Sequence, residues 1–96
     1  MARPSIERKV CLELKTAYFK PKGISQSDLE DVILEVDEAE AIRLADLEGK
    51  YQQEAAKLMG VSRQTFGNIL NRAHHKIAQV LIKGKALRIN CPRFQE

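Results

Sequence analysis

Apolar positions recur with helical spacing through most of the second half of the chain. Ala55, Ala56, Leu58 and Met59 give a short segment one apolar face that includes two small residues. A longer stripe follows at intervals of three and four residues, and its members are Phe66, Ile69, Leu70, Ala73, Ile77, Val80 and Leu81. The spacing predicts two helices, the second with its buried face running to about Leu81. Gly84 is predicted to end that helix.

A tight turn at Gly60-Val61-Ser62 separates the two stripes. Gly60 follows the last apolar residue of the first helix, where many helices end in a left-handed residue that glycine adopts without steric cost. Val61 is placed to fill the angle between the helices. Ser62 can cap the second helix, because its hydroxyl can accept a hydrogen bond from an otherwise unpaired backbone N–H. Residues 51–82 therefore have the pattern of a helix-turn-helix, a unit whose second helix lies in the DNA major groove.

The first half of the chain carries weaker patterns. Val10–Leu14 has strand character, and the proline and glycine of Tyr18–Ile24 predict a loop. Ser27 and Glu30 have the spacing of a capping box, which predicts a short helical turn. Val32–Val36 is either a strand or an extended lead-in, because five residues are too few for periodicity to decide.

A supporting helix is predicted to begin at Asp37. The Asp37 carboxylate can accept hydrogen bonds from the first turn, and acidic residues favour the positive end of a helix. Its apolar stripe consists of Ala39, Ile42, Leu44, Ala45 and Leu47, and Gly49 is predicted to end it.

The predicted fold is mainly α. It is a tri-helical helix-turn-helix bundle with a long recognition helix and short terminal β-strands, Val10–Leu14 and Ala86–Ile89, that can pair beside the bundle. Residues 10–89 form this single domain, residues 1–9 a basic N-terminal arm, and residues 90–96 a C-terminal tail.

Composition agrees with one small domain. The chain has 96 residues, of which 44% are hydrophobic, with three Phe, two Tyr and no Trp, so the core is mostly aliphatic. No apolar run approaches the roughly 20 residues that span a bilayer, and no signal-peptide pattern is present. We therefore expect a cytoplasmic protein with no membrane partner.

The net charge of +3 is distributed unevenly. Residues 1–24 carry six Lys or Arg against two Asp or Glu, residues 25–54 carry two against ten, and residues 55–96 carry eight against one. Basic segments suit the DNA backbone, so this distribution predicts a phosphate-facing side that includes the recognition helix, with an acidic side opposite. The acidic block is otherwise a solvated face or a contact for a basic partner.

Polar side chains occupy the outer face of the first turns of the predicted recognition helix. Arginine pairs with guanine, and asparagine or glutamine with adenine, through two parallel hydrogen bonds. The residues that we assign to base reading are Arg63, Gln64, Asn68 and Asn71. Taken singly, each of these residues is better explained as a solvated polar residue. Together with the turn, the cap and the preceding helix, they favour DNA contact.

Phosphate contacts are expected from the start of each motif helix and from the edge of the recognition helix. The residues assigned to them are Lys50, Gln52, Ser62, Thr65, Arg72 and Lys76. Tyr51 is either a further contact of this kind or half-buried packing. Gly67 lies inside the predicted helix, where glycine lowers helix stability by about 1 kcal/mol relative to alanine. The absence of a side chain at this position permits close approach of DNA or of a neighbouring helix.

The N-terminal arm is predicted to enter a neighbouring minor groove, or else to be a disordered terminus. Its candidate contacts are Arg3, Arg8 and Lys9.

Cysteine and histidine offer little chemistry. Cys11 and Cys91 lie far apart in sequence, and a cytoplasmic location argues against a disulfide, although pairing of the terminal strands would bring the two sulfurs together. His74 and His75 are adjacent helical residues that point about 100° apart and so rarely bind one ion. We therefore predict no metal and no cofactor.

The chain also resembles known proteins. Residues 53–65 are similar to the promoter-reading C-terminal domain of bacterial sigma factors, known as region four. Further characteristic pieces are spread along nearly the whole chain: Arg3-Pro4, Tyr18–Pro21, Asp37-Glu38, Glu40-Ala41, Arg43–Asp46, Gly60–Phe66 and Gly84–Leu87. On these pieces the chain resembles a family of small bacterial and archaeal predicted DNA-binding proteins, domain of unknown function 134. The resemblance implies a sigma-like helix-turn-helix and a DNA-binding role, and it names no operator or effector.

Two function classes follow. The first is a sequence-specific DNA-binding protein, a transcriptional regulator on double-stranded DNA, expected to be a homodimer because one such helix reads too few bases for tight specific binding. The second is an adaptor that uses the helix-turn-helix fold and acidic segment 28–48 to dock on a protein partner. An enzyme is not predicted, because the chain has no nucleophile–base arrangement and no phosphate-binding glycine loop.

Overall fold

Three helices pack beside a small three-stranded sheet in the computed structural model, which describes residues 14–91. The elements are β1 (Tyr18–Phe19), β2 (Asp31–Glu35), α1 (Val36–Ile42), α2 (Gln52–Met59), α3 (Arg63–Lys83) and β3 (Ala86–Asn90). A short 3-10 helix covers Gln26–Asp28, and a π-helical segment, Arg43–Leu47, continues α1. The prediction of a mainly helical, three-helix fold with a long last helix is confirmed.

The turn between α2 and α3 has the predicted chemistry. Gly60 adopts a left-handed conformation with φ 73° and ψ 30°. The Ser62 hydroxyl accepts a hydrogen bond from the backbone N–H of Thr65 at 3.0 Å, which caps α3. Val61 is partly buried and packs against the core between the helices. These three local features fix where α2 ends and α3 begins.

The long helix α3 contributes to two clusters of the core. Its first half packs against α1, the π-helical segment and α2, in a cluster of Ala41, Leu44, Ala55, Ala56, Met59, Phe66, Ile69 and Leu70. Its middle packs on the sheet, in a cluster of Val32, Leu34, Ala39, Ala73, Leu87, Ile89 and Cys91. Because α3 is anchored along most of its buried side, its opposite side is held in a fixed orientation.

The sheet has the order β1-β3-β2, with β3 in the middle. β3 runs parallel to β2, with Val32 opposite Leu87, and antiparallel to β1, with Tyr18 opposite Arg88. The prediction of a loop from Tyr18 was wrong for its first two residues, because a strand this short has no periodicity to detect. The predicted strand Val10–Leu14 lies outside the described residues except for Leu14, which belongs to no strand.

Two predicted helix starts were wrong. Ser25, not Ser27, caps the 3-10 helix, since its side chain accepts from the Ser27 N–H. α1 begins at Val36, one residue before the predicted Asp37, and the Glu35 backbone N–H donates to Glu38 Oε1 at 2.9 Å. β2 passes directly into α1 with no intervening turn, so no breaker residue marks the boundary.

Three residues placed on buried stripes are in fact exposed: Leu47, Leu58 and Leu81. α3 has 21 residues and spans about 31 Å, whereas α2 has eight, and Leu81 in the last turn of α3 is 73% exposed. The last turns of α3 extend past α2. β3 also runs one residue further than predicted, to Asn90, which had been assigned to the tail.

No helix within residues 14–91 combines the length and the hydrophobicity that a membrane span requires.

Candidate nucleic-acid interface

The outer face of the first half of α3 carries the four predicted base-reading residues. Arg63, Gln64, Asn68 and Asn71 are all exposed. The opposite face of the same turns is buried through Phe66, Ile69, Leu70 and Ala73. We name the exposed set the reading face. Four side chains with the hydrogen-bonding groups of base recognition thus share one side of a rigid helix.

Arg63 brings a positive charge to the start of this face. It is the first residue of α3, directly after the Ser62 cap. Within residues 14–91 no carboxylate lies within ion-pair distance of its guanidinium. Its charge and its five N–H donors therefore remain available to an external acceptor.

The start of α2 lies next to the reading face. Gln52 opens α2, and its Oε1 lies 3.5 Å from the point that a Cβ on Gly67 would occupy. Tyr51, one residue earlier, is 85% exposed, so the half-buried alternative for this side chain was wrong. The Lys50 Nζ lies 3.8 Å from a Glu48 oxygen and 3.9 Å from a Glu54 oxygen, both distances at the long end for an ion pair.

Ser62 and Thr65 are tied to each other at the helix start. Besides capping the helix, the Ser62 hydroxyl donates to Thr65 Oγ1 at 2.9 Å. Ser62 is exposed and Thr65 is half-buried. Both therefore lie beside the first turn of α3, where backbone N–H groups and the helix dipole favour an anion.

Arg72 and Lys76 converge on one buried carboxylate, that of Glu38. Only 2% of Glu38 is exposed. Its Oε1 accepts from Lys76 Nζ at 2.7 Å and from the Glu35 N–H at 2.9 Å, and its Oε2 accepts from Arg72 Nε at 3.2 Å. Sequence reasoning placed Arg72 and Lys76 on phosphate and assigned Glu38 no role at the site.

The three donors keep Glu38 ionised. Burial by itself raises the pKa of the Glu38 carboxyl, but hydrogen bonds from Lys76, from the Glu35 backbone and from Arg72 outweigh it and hold this pKa below its ordinary value. Glu38 therefore carries a full negative charge at neutral pH and compensates one of the two cations beside it.

Part of the acidic segment pairs with the C-terminal basic segment, so the two predicted sides are not fully separate. Besides Glu38, three carboxylates reach across. The pairs are Glu30–Lys85 at 2.9 Å, Asp31–Arg88 at 3.0 Å and Asp46–His74 at 2.6 Å. This pairing weakens the charge argument for an acidic protein-docking surface.

Two other residues of this region, His75 and Gln79, were not assigned to the site from the sequence. They line a shallow depression of about 400 Å³ on α3 together with Asn71, Arg72 and Lys76. The 3.6-residue period predicts that His75 follows Asn68 and Asn71 on one face, and that signal was available.

Other candidates lie elsewhere. Arg3, Arg8, Lys9 and Cys11 lie outside the described residues. Cys91 is buried against the sheet, and within residues 14–91 no three His, Cys, Asp or Glu side chains are grouped as metal ligands would be.

Comparison with known proteins places the chain in a family. A UPF0251 protein of Vibrio parahaemolyticus serotype O3:K6 is 52% identical over 87 residues, which cover 91% of each chain. One from Aeromonas salmonicida is 53% identical, over 91% of this chain and 85% of that protein. One from Prosthecochloris aestuarii is 53% identical, over 88% of this chain and 55% of its own length.

No solved structure matches the chain. A family model described as protein of unknown function DUF134 matches residues 1–95. This chain therefore belongs to the DUF134 family, and the relatives named above carry the name UPF0251 protein.

Proposed function

We propose that this protein is a sequence-specific DNA-binding protein, a transcriptional regulator, that places the first half of α3 in the major groove. The supporting observation is the reading face. Arg63, Gln64, Asn68 and Asn71 are exposed on one side of a capped helix whose other side is buried over the same turns. These are the residue types that form paired hydrogen bonds with the edges of guanine and adenine.

The dimensions of α3 suit this role. An α-helix with its side chains is about 10–12 Å wide, and the major groove is about 12 Å wide. The exposed start of α3 projects its polar side chains away from the core, so the helix can enter the groove without rearrangement of the bundle. Ser62, Thr65 and Gln52 then lie beside the phosphates that border the groove.

Gly67 also supports a placement of α3 with the reading face towards DNA. A glycine inside a helix costs about 1 kcal/mol against alanine, so its presence calls for a reason. The fold supplies none, because a Cβ at this position would meet Gln52 Oε1 at an ordinary contact distance of 3.5 Å. A bare backbone on the reading face instead allows closer approach of a DNA base edge.

We further propose that the protein acts as a homodimer, because one helix reads only a few base pairs. Leu81 and Ile82, at 73% and 82% exposed, offer apolar surface for a second copy near the end of α3. The strand near Leu87, a second candidate for the dimer surface, offers less, because Leu87 is buried.

Selection from a random duplex pool tests the proposed function. The protein is incubated with the pool at moderate salt, and the retained duplexes are sequenced. We expect an enriched motif, arranged as an inverted repeat whose half-site spacing reports the dimer. Retention without a motif would contradict sequence specificity. No retention even at low salt would contradict DNA binding and favour the protein-docking alternative, which a nuclease-resistant pull-down would then test.

Asn68→Ala is expected to relax the enriched motif at one base position. Loss of a paired contact to adenine costs about 1–3 kcal/mol of discrimination at that position, with little effect at the others. The same selection, repeated with the variant, measures it. Gln53→Ala removes an exposed amide that lies on α2 and outside the assigned contacts, so it should leave the motif unchanged. A motif that Asn68→Ala leaves intact would remove Asn68 from base reading.

Gly67→Ala is expected to move stability and DNA binding in opposite directions. Alanine should add up to about 1 kcal/mol to the free energy of unfolding, because its helix propensity is higher and its Cβ meets no clash. The added methyl group should weaken DNA binding. Urea denaturation and fluorescence anisotropy with a labelled duplex measure the two effects. Equal DNA affinity of the more stable variant would show that residue 67 does not approach DNA.

A further inference from the structure

The middle of α3 carries a second cluster of hydrogen-bond donors, which shares only Asn71 with the reading face. The depression of about 400 Å³ on the outer side of the helix is lined by Asn71, Arg72, His75, Lys76 and Gln79. None of these five side chains carries a negative charge. Their amide, imidazole and guanidinium N–H groups suit an anion such as phosphate.

The buried Glu38 carboxylate fixes the orientation of the Arg72 guanidinium. Its Oε2 accepts from Arg72 Nε at 3.2 Å, and Arg72 is still about half exposed. Among residues 14–91, Nη1 and Nη2 of Arg72 have no partner. A guanidinium can bind two acceptors on different edges, so Arg72 can keep Glu38 on its Nε edge while its two Nη groups face an external oxyanion.

The charges at this cluster leave one positive charge uncompensated. Glu38 is the only described carboxylate within ion-pair distance of Arg72 or Lys76. Lys76 Nζ lies at the shorter distance, 2.7 Å, and its side chain is more buried than that of Arg72. Lys76 therefore mainly neutralises Glu38, and the charge of Arg72 remains for a ligand with one negative charge.

We propose that Arg72, His75 and Gln79 form a preassembled site for a DNA backbone phosphate, with Glu38 as the positioning residue. The inference rests on the proposed DNA-binding function and assigns Lys76 to the support of Glu38 rather than to DNA. Arg72 follows Ser62 by ten residues, about 15 Å along the helix. The major groove is about 12 Å wide, so Ser62 and Arg72 can meet phosphates on its opposite walls.

The first test is the salt dependence of binding for Arg72→Gln. Affinity is measured by fluorescence anisotropy at several KCl concentrations, with the selected duplex and with a scrambled duplex. We expect about tenfold weaker binding to both duplexes, and a log–log salt slope that is smaller by about 0.9, the value for one lost phosphate contact. An unchanged slope would overturn the site.

His75→Ala and His74→Ala form a matched pair in which folding is not at risk. His75 is exposed and lines the depression, whereas His74 is turned about 100° away and contacts Asp46. We expect His75→Ala to weaken binding to both duplexes about threefold, and His74→Ala to leave it unchanged. Equal effects of the two substitutions would contradict the site.

The double variant Glu38→Gln/Lys76→Met tests positioning without a change in net charge. Glu38→Gln removes the carboxylate that orients Arg72, and Lys76→Met removes the cation that neutralised this carboxylate. We expect a folded protein whose affinity falls about threefold while the salt slope stays the same, because the phosphate contact is misaligned rather than removed. Wild-type affinity would overturn the positioning role.

The outcomes separate the inference from the function on which it rests. The phosphate site alone is contradicted if the wild-type protein binds DNA while Arg72→Gln and His75→Ala both keep wild-type affinity and salt slope. Both the DNA-binding function and the phosphate site are contradicted if the wild-type protein retains neither duplex at low salt.

Discussion

Replacing Phe66 by alanine is expected to lower the free energy of unfolding by about 3–5 kcal/mol, the usual cost of removing a fully buried phenylalanine. Phe66 is completely buried in the cluster between α3, α2 and the π-helical segment. No larger side chain is buried to this extent in the described part of the chain. The substitution removes its apolar contacts and leaves a cavity where α2 and α3 meet.

The loss is large for a chain of this size. Globular domains are stable by roughly 0.05–0.15 kcal/mol per residue, which is about 5–14 kcal/mol for 96 residues. Phe66→Ala should therefore remove about a fifth or more of the total stability. Urea denaturation followed by circular dichroism measures the change, and any loss of DNA binding by this variant should follow the fraction of protein that is unfolded.

Ile82→Ala is the matched control, because Ile82 is a large apolar residue of the same helix that is 82% exposed. Its cost to the isolated protomer should stay within about 0.5 kcal/mol. Equal losses for the two variants would contradict the assignment of the core. A loss for Ile82→Ala that grows with protein concentration would instead reveal a dimer contact at the end of α3.

The second half of the fold was predictable because its signals are local. The spacing of the apolar residues that include Phe66 and Ile69 is by itself enough to predict a helix. Gly60 and Ser62 mark the end of α2 and the start of α3 through interactions with residues only a few positions away. The polar side of α3 follows from the same period. For this reason the reading face was identified from the sequence and is present in the structure as an exposed face.

The first half depended on partners far away in the chain. Tyr18 and Phe19 form a strand only because β3, about 70 residues later, offers its backbone groups. The same limit applies to Leu81 in the second half, which lies on the apolar stripe of α3 but is 73% exposed, because the helical period does not report whether another element covers that turn. Neither fact is encoded within a window of a few residues.

The Glu38 cluster was missed for a different reason. Glu38 lies three and seven residues before Ala41 and Ala45, so helical periodicity places it on the apolar side of α1. We interpreted this carboxylate as part of the helix start, although an acidic residue on a buried face requires a partner. The partners, Arg72 and Lys76, lie more than 30 residues away, and their spacing of four was the available sign that they share one side of α3.

Replacing Lys76 by methionine is expected to lower the free energy of unfolding by about 2–4 kcal/mol at pH 7. Removal of one partner of a buried ion pair leaves an incompletely compensated charge, which usually costs about 3–5 kcal/mol. The cost is smaller here, because Arg72 and the Glu35 N–H still donate to Glu38, and the methionine side chain would keep most of the apolar contacts of the lysine stem.

A double-mutant cycle with Glu38→Gln isolates the interaction. Lys76→Met should cost far less in the Glu38→Gln background, because no buried charge is then left without its partner. If Lys76→Met costs the same in both backgrounds, its effect comes from the packing of the side chain and not from the ion pair.

The pH dependence of the Lys76→Met effect gives a second, independent signature. The pKa of Glu38 is lowered in the folded protein relative to the unfolded chain, where it is about 4.3. The ionised carboxylate therefore contributes stability that is present above the unfolded pKa and is lost as the pH falls through the lower folded value.

Without Lys76, burial still raises the pKa of Glu38, but one of the hydrogen bonds that oppose this effect is gone. The pKa of Glu38 should therefore be higher in the Lys76→Met variant than in wild type. The difference in unfolding free energy between wild type and variant should therefore be full at pH 7. It should shrink as the pH falls from the raised pKa of Glu38 in the variant to the lowered pKa of Glu38 in wild type, because below the lower value the carboxyl is protonated in both folded proteins. Urea titrations from pH 7 down to the limit of folding measure this difference, and a constant value across that range would show that Lys76 does not stabilise Glu38 through its charge.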